Sequence, residues 1–343
     1  MSANIRAEVR GDWHMTQPIR WGILGAAKFA REHMGPAIHA ANGAELAALA
    51  TSSADKAAPF QSFAPGIAVH ESYEALLADP LIDAVYIPLP NHLHVEWALK
   101  AMQAGKHVLV EKPATLREEE FDQLIAARDA AGVLAAEAYM IVHHPQWQRA
   151  RELVHTGALG QVKHVSGKFS FDNRRDVDNI RNRPETGGGA LRDIGVYVLG
   201  SARFVTGEEP QDISAQIEWE NGVDVLSNVQ ARFPSFLYTA YVSTRLQPFQ
   251  EMVFHGDKGV LRLTAPFNPR VFGEARLELH QASHAAGSGR VIEERFPIAD
   301  HYKLQVEAFG KSVRDGTPYA CPLEFSRGTQ RALDQIFACA TTL

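Results

Sequence analysis

The stretch WGILGAAKFA, residues 21–30, has the pattern of a buried strand followed at once by the start of a helix. Gly25, Ala27 and Ala30 stand at the three spacings of a dinucleotide-binding fingerprint, with alanine in place of the later glycines. Such a turn directs backbone N–H groups and a helix N-terminus at a pyrophosphate. A plain strand-to-helix turn also fits these residues, but their place at the first strand of the fold favours nucleotide binding.

The pattern around this turn predicts the fold. From Ile19 to about Tyr139, apolar strands alternate with helical patterns, which indicates parallel strands joined by crossover helices. After about residue 140, a helix is followed by strands of alternating polarity and then by two closing helices, which indicates a mostly antiparallel sheet. We therefore predict an α/β fold with an N-terminal Rossmann parallel sheet and a C-terminal α+β domain with a large, mostly antiparallel open sheet.

The predicted limits are a flexible tail at 1–17, an NAD(P)-binding domain at 18–140, and a second domain at 141–343, to which the family resemblance given below assigns substrate binding and dimerisation. Local signals set helix ends within the first domain. Gly35-Pro36 should break the first helix, whereas Asn91 should cap the helix of HLHVEWALKAMQA and Gly105 should end it. Thr115-Leu116-Arg117-Glu118 has the spacing of a capping box.

Composition excludes several classes of protein. The net charge of -6 and the lack of a dense Lys/Arg block argue against nucleic-acid binding. No apolar run approaches transmembrane length, and the N-terminus has no hydrophobic signal core, so we expect no membrane partner. The two cysteines, Cys321 and Cys339, fit neither a disulfide framework nor a zinc site, so we expect no metal and a cytoplasmic location. Either Met1 or Met15 can be the initiator.

The end of the second strand bears on the choice of cofactor. An acid is expected there for NAD, but the chain has Thr51, Ser52, Ser53 and then Lys56. Hydroxyls and a lysine suit a 2′-phosphate better, so NADP is favoured and NAD is the alternative; plain loop polar residues are a further interpretation. The residues expected to contact the cofactor are Gly25, Ala26, Ala27, Lys28, Phe29, Thr51, Ser52, Ser53, Lys56, Pro88, Leu89, Pro90, Asn91, His94, Glu111, Lys112 and Pro113.

Two further stretches carry the candidate catalytic residues. Glu111-Lys112-Pro113 ends the strand HVLV, at the sheet edge where open α/β sheets bind ligands, and Lys112 could stabilise charge on a substrate oxygen. In GGGALRDIGVYVLG, residues 187–200, the i,i+4 spacing of Asp193 and Tyr197 predicts one helical face. We expect Tyr197 to transfer a proton, with its pKa lowered by Lys112. A solvated lysine and a polar helix stripe are the alternatives.

Substrate contacts are predicted in the loop FDNRRDVDNIRNRPETG, residues 171–187. Its asparagines and arginines could bind hydroxyls or an anionic group, although a solvated loop has the same composition. The candidates for substrate binding are Arg174, Asn179, Arg181, Asp193 and Tyr197.

The stretches GILGAAKFA, PNHLH, EKP and GGGALRDIGVY, in this order and at these separations, carry a resemblance. Over nearly all of residues 18–343 the chain resembles the Gfo/Idh/MocA oxidoreductases, the glucose–fructose oxidoreductase family. The resemblance implies NAD(P)-dependent oxidation or reduction of sugars, polyols and related carbonyl compounds. It also implies a C-terminal sheet whose open face often forms a dimer, hence a homodimer or tetramer.

By motif, the resemblance gives Lys112 the place of the family's catalytic lysine, with a cis peptide to Pro113, and gives Asp193 the family's acidic position. Tyr197 stands where many members have histidine. This form resembles the branch with glucose–fructose oxidoreductase, xylose dehydrogenases, dihydrodiol dehydrogenases and some deoxysugar ketoreductases. Where that branch often has an aromatic–arginine pair, this chain has Ile141-Val142 and then His143-His144-Pro145.

The leading hypothesis is thus an NADP-dependent sugar or carbonyl oxidoreductase in which Lys112 and Tyr197 act on the substrate oxygen. A dihydrodiol-type dehydrogenase is one alternative. Another is a nucleotide-sensing regulatory protein on the same fold, against which the presence of Lys112, Asp193 and Tyr197 argues. The last alternative is a scaffold subunit that binds no dinucleotide.

Overall fold

The first half of the chain forms a six-stranded parallel sheet. The computed structural model describes residues 17–282 and 289–343, so residues 1–16 of the predicted tail lie outside it. The strand order is β3-β2-β1-β4-β5-β6. The strands are β1 Ile19–Leu24, β2 Ala44–Ala50, β3 Ala68–His70, β4 Ala84–Ile87, β5 His107–Val110 and β6 Ala135–Glu137. The helices are α1 Gly35–Ala40, α2 Ala54–Phe63, α3 Tyr73–Leu77, α4 His94–Gln103 and α5 Glu120–Ala131.

This order reverses between β1 and β4, and in such sheets the crevice beyond the carboxyl ends of the strands is the ligand site. The strands at the centre are buried on both faces, as helices on both sides require. The sequence analysis did not predict the α2 helix and the short β3 strand that separate β2 from α3.

The second half forms a nine-stranded sheet in the order β14-β13-β12-β11-β7-β10-β9-β8-β15. Its pairs are antiparallel except β7 with β10 and β8 with β15. The strands are β7 Val162–Asp172, β8 Gln211–Glu220, β9 Val223–Arg232, β10 Leu237–Ser243, β11 Arg245–Gly256, β12 Val260–Leu263, β13 Arg276–Gln281, β14 Arg290–Arg295 and β15 Thr341–Thr342. The helices are α6 Pro145–His155, α7 Val196–Thr206, α8 His301–Asp315 and α9 Leu323–Cys339. The predicted fold class is confirmed.

Helix α8 packs on the N-terminal sheet, although it belongs to the C-terminal part of the chain. The rings of Phe309 and Trp21 lie 5.1 Å apart, and the Arg314 guanidinium donates to the Gly43 carbonyl at 3.0 Å. Because both rings are fully buried, this contact joins the two halves through apolar packing. The domain limits of the sequence analysis stay a prediction.

The predicted break at Gly35-Pro36 is wrong. A π-helical turn at Ala30–Met34 runs directly into α1, and Gly35 has right-handed helical angles. The wider π turn bonds the Gly35 N–H to the Ala30 carbonyl, so the proline ring enters without the clash that an α-helical turn would impose.

Two predicted caps are also wrong. Asn91 begins a 3₁₀ turn before α4, and its side-chain amide donates instead to the Gly187 carbonyl at 2.9 Å. Helix α5 begins at Glu120, and the Glu120 carboxylate itself accepts the N–H groups of Leu116 and Arg117, so Thr115 forms no capping box. The predicted stop at Gly105 is confirmed, with a φ of +72° just after α4.

Candidate active site

The turn after β1 requires glycine. Gly25 has a φ of +96°, and a Cβ atom there would lie 3.1 Å from the Leu89 side chain and 3.1 Å from the Tyr73 hydroxyl. The Gly25 N–H donates to the Ala50 carbonyl at the end of β2. The turn is therefore fixed against the sheet, and it leaves the N-terminal end of the following helix facing the crevice.

This turn opens onto a cleft of about 480 Å³ at the reversal of strand order. Nine predicted cofactor residues line it: Gly25, Ala26, Ala27, Thr51, Ser52, Lys56, Pro88, Leu89 and Pro90. The sequence analysis missed four others, Glu71, Ser72, Tyr73 and Glu74, because β3 was not recognised and the chain after it was not placed at the crevice. The glycine turn and the hydroxyl groups of Thr51 and Ser52 fit a dinucleotide.

Other predicted cofactor residues lie beside this cleft. Lys28 is exposed, and the Phe29 ring packs against His33 and Tyr302. The Ser53 side chain caps α2 by accepting the Lys56 N–H. Their contact with a cofactor stays a prediction.

His94 has a structural setting that the sequence did not reveal. Its ring is fully buried, with Nδ1 2.7 Å from the Pro113 carbonyl and Nε2 2.7 Å from the Leu89 carbonyl. Burial lowers the pKa of His94 to about 4, and the Lys112 charge adds to this effect. The ring thus bridges the lip of the cleft and the turn after β5, and it does not face the cleft.

Lys112 lies where the two halves of the chain meet. The Lys112–Pro113 peptide is cis, as predicted. The Lys112 Nζ donates at 2.7 Å to the Asp193 backbone carbonyl and at 2.7 Å to its carboxylate Oδ1, and it lies 5.2 Å from the centre of the Tyr197 ring. The structure therefore brings the three predicted catalytic residues together. Their catalytic roles stay a prediction at this point.

Asp193 is bound by a second cation. Arg181 Nε donates to Asp193 Oδ2 at 2.6 Å, so each carboxylate oxygen has a cationic partner. Burial alone would raise the pKa of Asp193, but Arg181 and Lys112 outweigh it and hold the pKa well below its usual range. We refer to Lys112, Asp193 and Arg181 as the charge cluster.

The three glycines before α7 allow this cluster to form. A Cβ at Gly188 would lie 2.6 Å from the Arg181 carbonyl, and Gly189 has a φ of +113° and faces the Asp224 carboxylate. Asp224 in turn accepts the Leu191 N–H at 2.7 Å, and burial raises its pKa to about 6. The loop that carries Arg181 can therefore pack directly on the start of the helix.

Glu111 lies next to Lys112 in a partly buried position. The Tyr86 hydroxyl donates to Glu111 Oε1 at 2.5 Å, and the Lys112 N–H donates to Oε2 at 3.2 Å. Burial raises the pKa of Glu111, although the Lys112 charge opposes this. The side chain supports the turn after β5 from within the N-terminal sheet.

The expectation that Lys112 lowers the pKa of Tyr197 is wrong. Burial raises that pKa well above its usual value, and nearby Tyr302 and Glu111 add to the effect. The Lys112 ammonium lies over the ring, while the Tyr197 hydroxyl lies 3.5 Å from the Met140 sulfur. Phe169 and Phe267 pack on the same ring, with centroids 5.9 and 5.6 Å away.

The predicted substrate residues separate into two groups. Arg181, Asp193 and Tyr197 meet at the charge cluster. Arg174 is bonded to Asp172 and to the Arg245 carbonyl, and Asn179 begins a 3₁₀ turn in which it accepts the Arg181 N–H. These contacts stabilise the loop itself, and contact of Arg174 and Asn179 with a substrate stays a prediction.

Tyr302, on α8, is a site residue that the sequence analysis missed. Its side chain contacts Phe29 and His33, and Asn268 is its side-chain hydrogen-bond partner. Its hydroxyl is near enough to Tyr197 to raise the pKa of that residue. Only the packing of α8 on the N-terminal sheet brings it here, and no local motif indicates this.

Two sequence models from one family match most of this chain. One, described as "Oxidoreductase family, NAD-binding Rossmann fold", matches residues 19–139. The other, described as "GFO/IDH/MocA C-terminal domain", matches residues 147–262. The chain belongs to the GFO/IDH/MocA oxidoreductase family. The predicted family, the oxidoreductase class and the dinucleotide-binding fold are therefore confirmed.

The names of similar members of the GFO/IDH/MocA family indicate sugar substrates. The chain is 34% identical to D-xylose 1-dehydrogenase (NADP(+)) 2 of Haloferax volcanii, over 94% of this chain and 97% of that protein. It is 31% identical to a dTDP-3,4-didehydro-2,6-dideoxy-alpha-D-glucose 3-reductase of Actinomadura kijaniata, over 94% and 95% of the two chains. The crystal structure of KijD10, a 3-ketoreductase from Actinomadura kijaniata with NADP and TDP-benzene, superposes with a TM-score of 0.85 at 28% identity, covering 95% of this chain and 99% of that one.

Across the two described ranges, this GFO/IDH/MocA chain has no helix that combines the length and the apolar character needed to cross a bilayer.

Substitution of Gly25 by alanine should weaken dinucleotide binding at least tenfold. A side chain at this positive φ is strained and would meet Leu89 and Tyr73 at 3.1 Å, so the turn has to move away from the cleft. Fluorescence titration with NADPH measures the change. Gly66→Ala is the matched control, because nothing lies within 4 Å of its Cβ position. Equal NADPH affinity of Gly25→Ala and Gly66→Ala would contradict the assignment of this turn.

Proposed function

We propose that the chain transfers a hydride between NADP and a sugar or polyol carbon, with Lys112 and Tyr197 acting on the substrate oxygen. One observation carries the proposal: the Lys112 amine binds Asp193 and lies over the Tyr197 ring. Lys112 follows β5, which pairs with β4, and the residues after β4 line the dinucleotide cleft. The names of similar family members, a xylose dehydrogenase and a deoxysugar reductase, support a carbohydrate substrate.

The residues have separate tasks in this proposal. The nicotinamide supplies or accepts the hydride when it is bound. Lys112 offers a positive charge to the oxygen that becomes negative, a form of stabilisation that counts most in a site protected from water. Asp193 holds the lysine amine in place by accepting two hydrogen bonds of 2.7 Å from it, one at its carboxylate and one at its backbone carbonyl. Tyr197 transfers the proton, for which its hydroxyl has to turn from Met140 toward the substrate.

NADP is the proposed cofactor because the cleft matches a 2′-phosphate better than a ribose diol. Thr51, Ser52 and Lys56 all line it beyond the end of β2, where NAD sites usually have an acid. Two acids, Glu71 and Glu74, also line the cleft but follow β3. The NADP in the xylose dehydrogenase name and in the KijD10 crystal points the same way.

We further propose a neutral substrate, such as a free sugar, in preference to a nucleotide-linked one. A diphosphate needs cations that are available to it. Arg174 and Arg181, the arginines predicted to bind substrate, are each bonded to a carboxylate, Asp172 and Asp193 respectively. An aromatic dihydrodiol is the second candidate, because the buried Phe169 and Phe267 pack on the Tyr197 ring and make its surroundings apolar.

A substrate panel tests these proposals. Free aldoses, a dTDP-linked keto sugar and an aromatic dihydrodiol are each assayed with NADP and NAD, in both directions, by absorbance of the reduced nicotinamide. Turnover of free aldoses with NADP is expected. Dinucleotide binding without turnover of any compound would favour a regulatory protein, and absence of binding would favour a scaffold.

Self-association and location complete the proposal. We propose a dimer or tetramer through the open face of the nine-stranded sheet. That face has an ion-pair ladder that runs from Lys168 through Glu251 and Arg262 to Glu278. Sedimentation velocity of the full chain should give at least a dimer, and a monomer at micromolar concentration would contradict it.

We propose a location in the reducing cytoplasm, which agrees with Cys321 and Cys339 as free thiols.

The first test of mechanism removes the two groups that act on the substrate oxygen. Lys112→Met should cost on the order of 3–4 kcal/mol of barrier, or a hundred- to a thousandfold in kcat. Tyr197→Phe should cost about a hundredfold or more, since general acid catalysis contributes that much. Because both residues act on one oxygen, the fold-loss in kcat of the double variant should be smaller than the product of the fold-losses of the two single variants. Near-normal turnover in Tyr197→Phe would exclude the tyrosine as proton donor.

The second test concerns cofactor choice. Ser52→Asp places a carboxylate where the 2′-phosphate is proposed to lie, so it should repel NADP and accept the ribose diol of NAD. The ratio of kcat/KM for NADP to that for NAD should fall by tenfold or more. Ser62→Asp, on an exposed position of α2, is the control for added charge. An unchanged ratio in Ser52→Asp would contradict the proposed position of the 2′-phosphate.

A further inference from the structure

We infer that Arg181 is a positioning residue that keeps the charge cluster at a net positive charge, and that it thereby favours loss of a proton from the substrate oxygen or from Tyr197. The sequence analysis placed Arg181 among the substrate-binding residues. Arg181 instead acts through Asp193. It rests on the proposed function, in which Lys112 and Tyr197 act on that oxygen.

The first step is the geometry of the shared carboxylate. Arg181 Nε lies 2.6 Å from Asp193 Oδ2, and Lys112 Nζ lies 2.7 Å from Asp193 Oδ1. Both side chains of the Lys112–Asp193 pair are nearly nine-tenths buried. The arginine therefore binds the only side-chain oxygen of Asp193 that the lysine leaves open, and it does so at charge-assisted distance.

The second step is the count of charges. Lys112 and Asp193 alone sum to zero, so the carboxylate would cancel the lysine charge that the substrate oxygen needs. Arg181 adds one positive charge, and the cluster as a whole carries +1. The electrostatic partners of Arg181 are Asp193, Tyr197 and Glu111. Other titratable groups that face the cluster or Tyr197 are Tyr86, His94, Glu137, Tyr139 and Tyr302.

The third step is that the backbone holds Arg181 in place. Its carbonyl accepts the Gly189 N–H at 2.9 Å, and its N–H donates to the Asn179 side chain at 3.1 Å. The Thr186 hydroxyl donates to the neighbouring Ile180 carbonyl at 2.6 Å. A side chain fixed in this way is suited to hold one carboxylate and is poorly suited to follow a substrate into the site.

The sign of the effect follows from electrostatics. A positive charge favours the negative form of any nearby group, so loss of Arg181 should make proton loss harder and move it to higher pH. At the effective dielectric constant of about 20 that suits protein sites, a charge about 6 Å away contributes up to roughly two pH units. Arg181 is about one-third exposed, so water screens part of this. We expect a shift of about one pH unit.

The experiment compares the pH profile of kcat for sugar oxidation in five proteins. In Arg181→Gln the part of the profile where kcat rises with pH should move to higher pH by about one pH unit. Arg181→Lys keeps the charge and should restore most of the parent profile. Arg183→Gln, in the same loop but paired with Glu185, should leave the profile unchanged. In Arg181→Gln/Asp193→Asn the cluster returns to +1 through Lys112 alone, so the limb should return toward the parent pH although the rate is low.

The inference would be overturned if the rising limb of the kcat profile in Arg181→Gln stayed at the pH of the parent protein. It would also be overturned if Arg183→Gln shifted the limb as far as Arg181→Gln does, or if Arg181→Lys did not bring the limb back toward the parent pH. A readout without turnover separates this result from the proposed function. Carbon-13 NMR of the Asp193 carboxyl in the cofactor-free protein should show its pKa rising in Arg181→Gln, because one of its two cations is lost. An unchanged pKa overturns the inference even if the chain turns over no sugar, whereas a parent protein without turnover contradicts the proposed function alone.

Discussion

A buried carboxylate that two cations share is the constraint on which the site depends. An unpaired ionised carboxylate in this position would be costly, whereas Asp193 keeps its charge because Lys112 and Arg181 each bind one of its oxygens. Lys112 follows β5, Asp193 lies in the π-helical turn Leu191–Gly195 just before α7, and Arg181 lies in the loop before that turn. Because these segments meet at the cluster, the charge pairing joins the two halves of the chain there, in addition to the apolar packing of α8 on the N-terminal sheet.

The glycines around the cluster have a shared physical purpose, which is close approach. Gly25 brings the first turn against Leu89 and Tyr73, and Gly188 and Gly189 bring the Arg181 loop onto the start of α7. A Cβ at any of the three would meet neighbouring atoms at about 3 Å or less. At Gly25 and Gly189 the positive φ is a second reason why a side chain is not accommodated. The His94 ring completes the support, because it joins the Leu89 carbonyl of the cleft to the Pro113 carbonyl behind Lys112.

The sequence predicted what local pattern determines. The alternation of strands and helices indicated the Rossmann sheet and the antiparallel sheet, and the motif resemblance grouped Lys112, Asp193 and Tyr197, which the structure brings together. It failed where long-range contacts decide. Gly35-Pro36 remain helical because a π turn admits the ring, Asn91 binds Gly187 across the site, and Tyr302 arrives only through the packing of α8. Burial of Tyr197 is also a tertiary property, so its raised pKa could not be inferred from a neighbouring lysine.

The raised pKa of Tyr197 bears on how the proposed chemistry is divided. A buried phenol with a raised pKa stays protonated, so it can act as the donor in carbonyl reduction, although it gives up its proton less readily than an ordinary tyrosine. Oxidation requires the reverse, so some positive charge has to compensate for burial when the proton leaves. Lys112 lies over the ring and not at the hydroxyl, and Asp193 cancels its charge. If Tyr197 and Lys112 act as proposed, the charge that makes both directions possible therefore has to come from a third group. Among the residues described at the cluster, Arg181 is the cation in contact with Asp193 that can supply it.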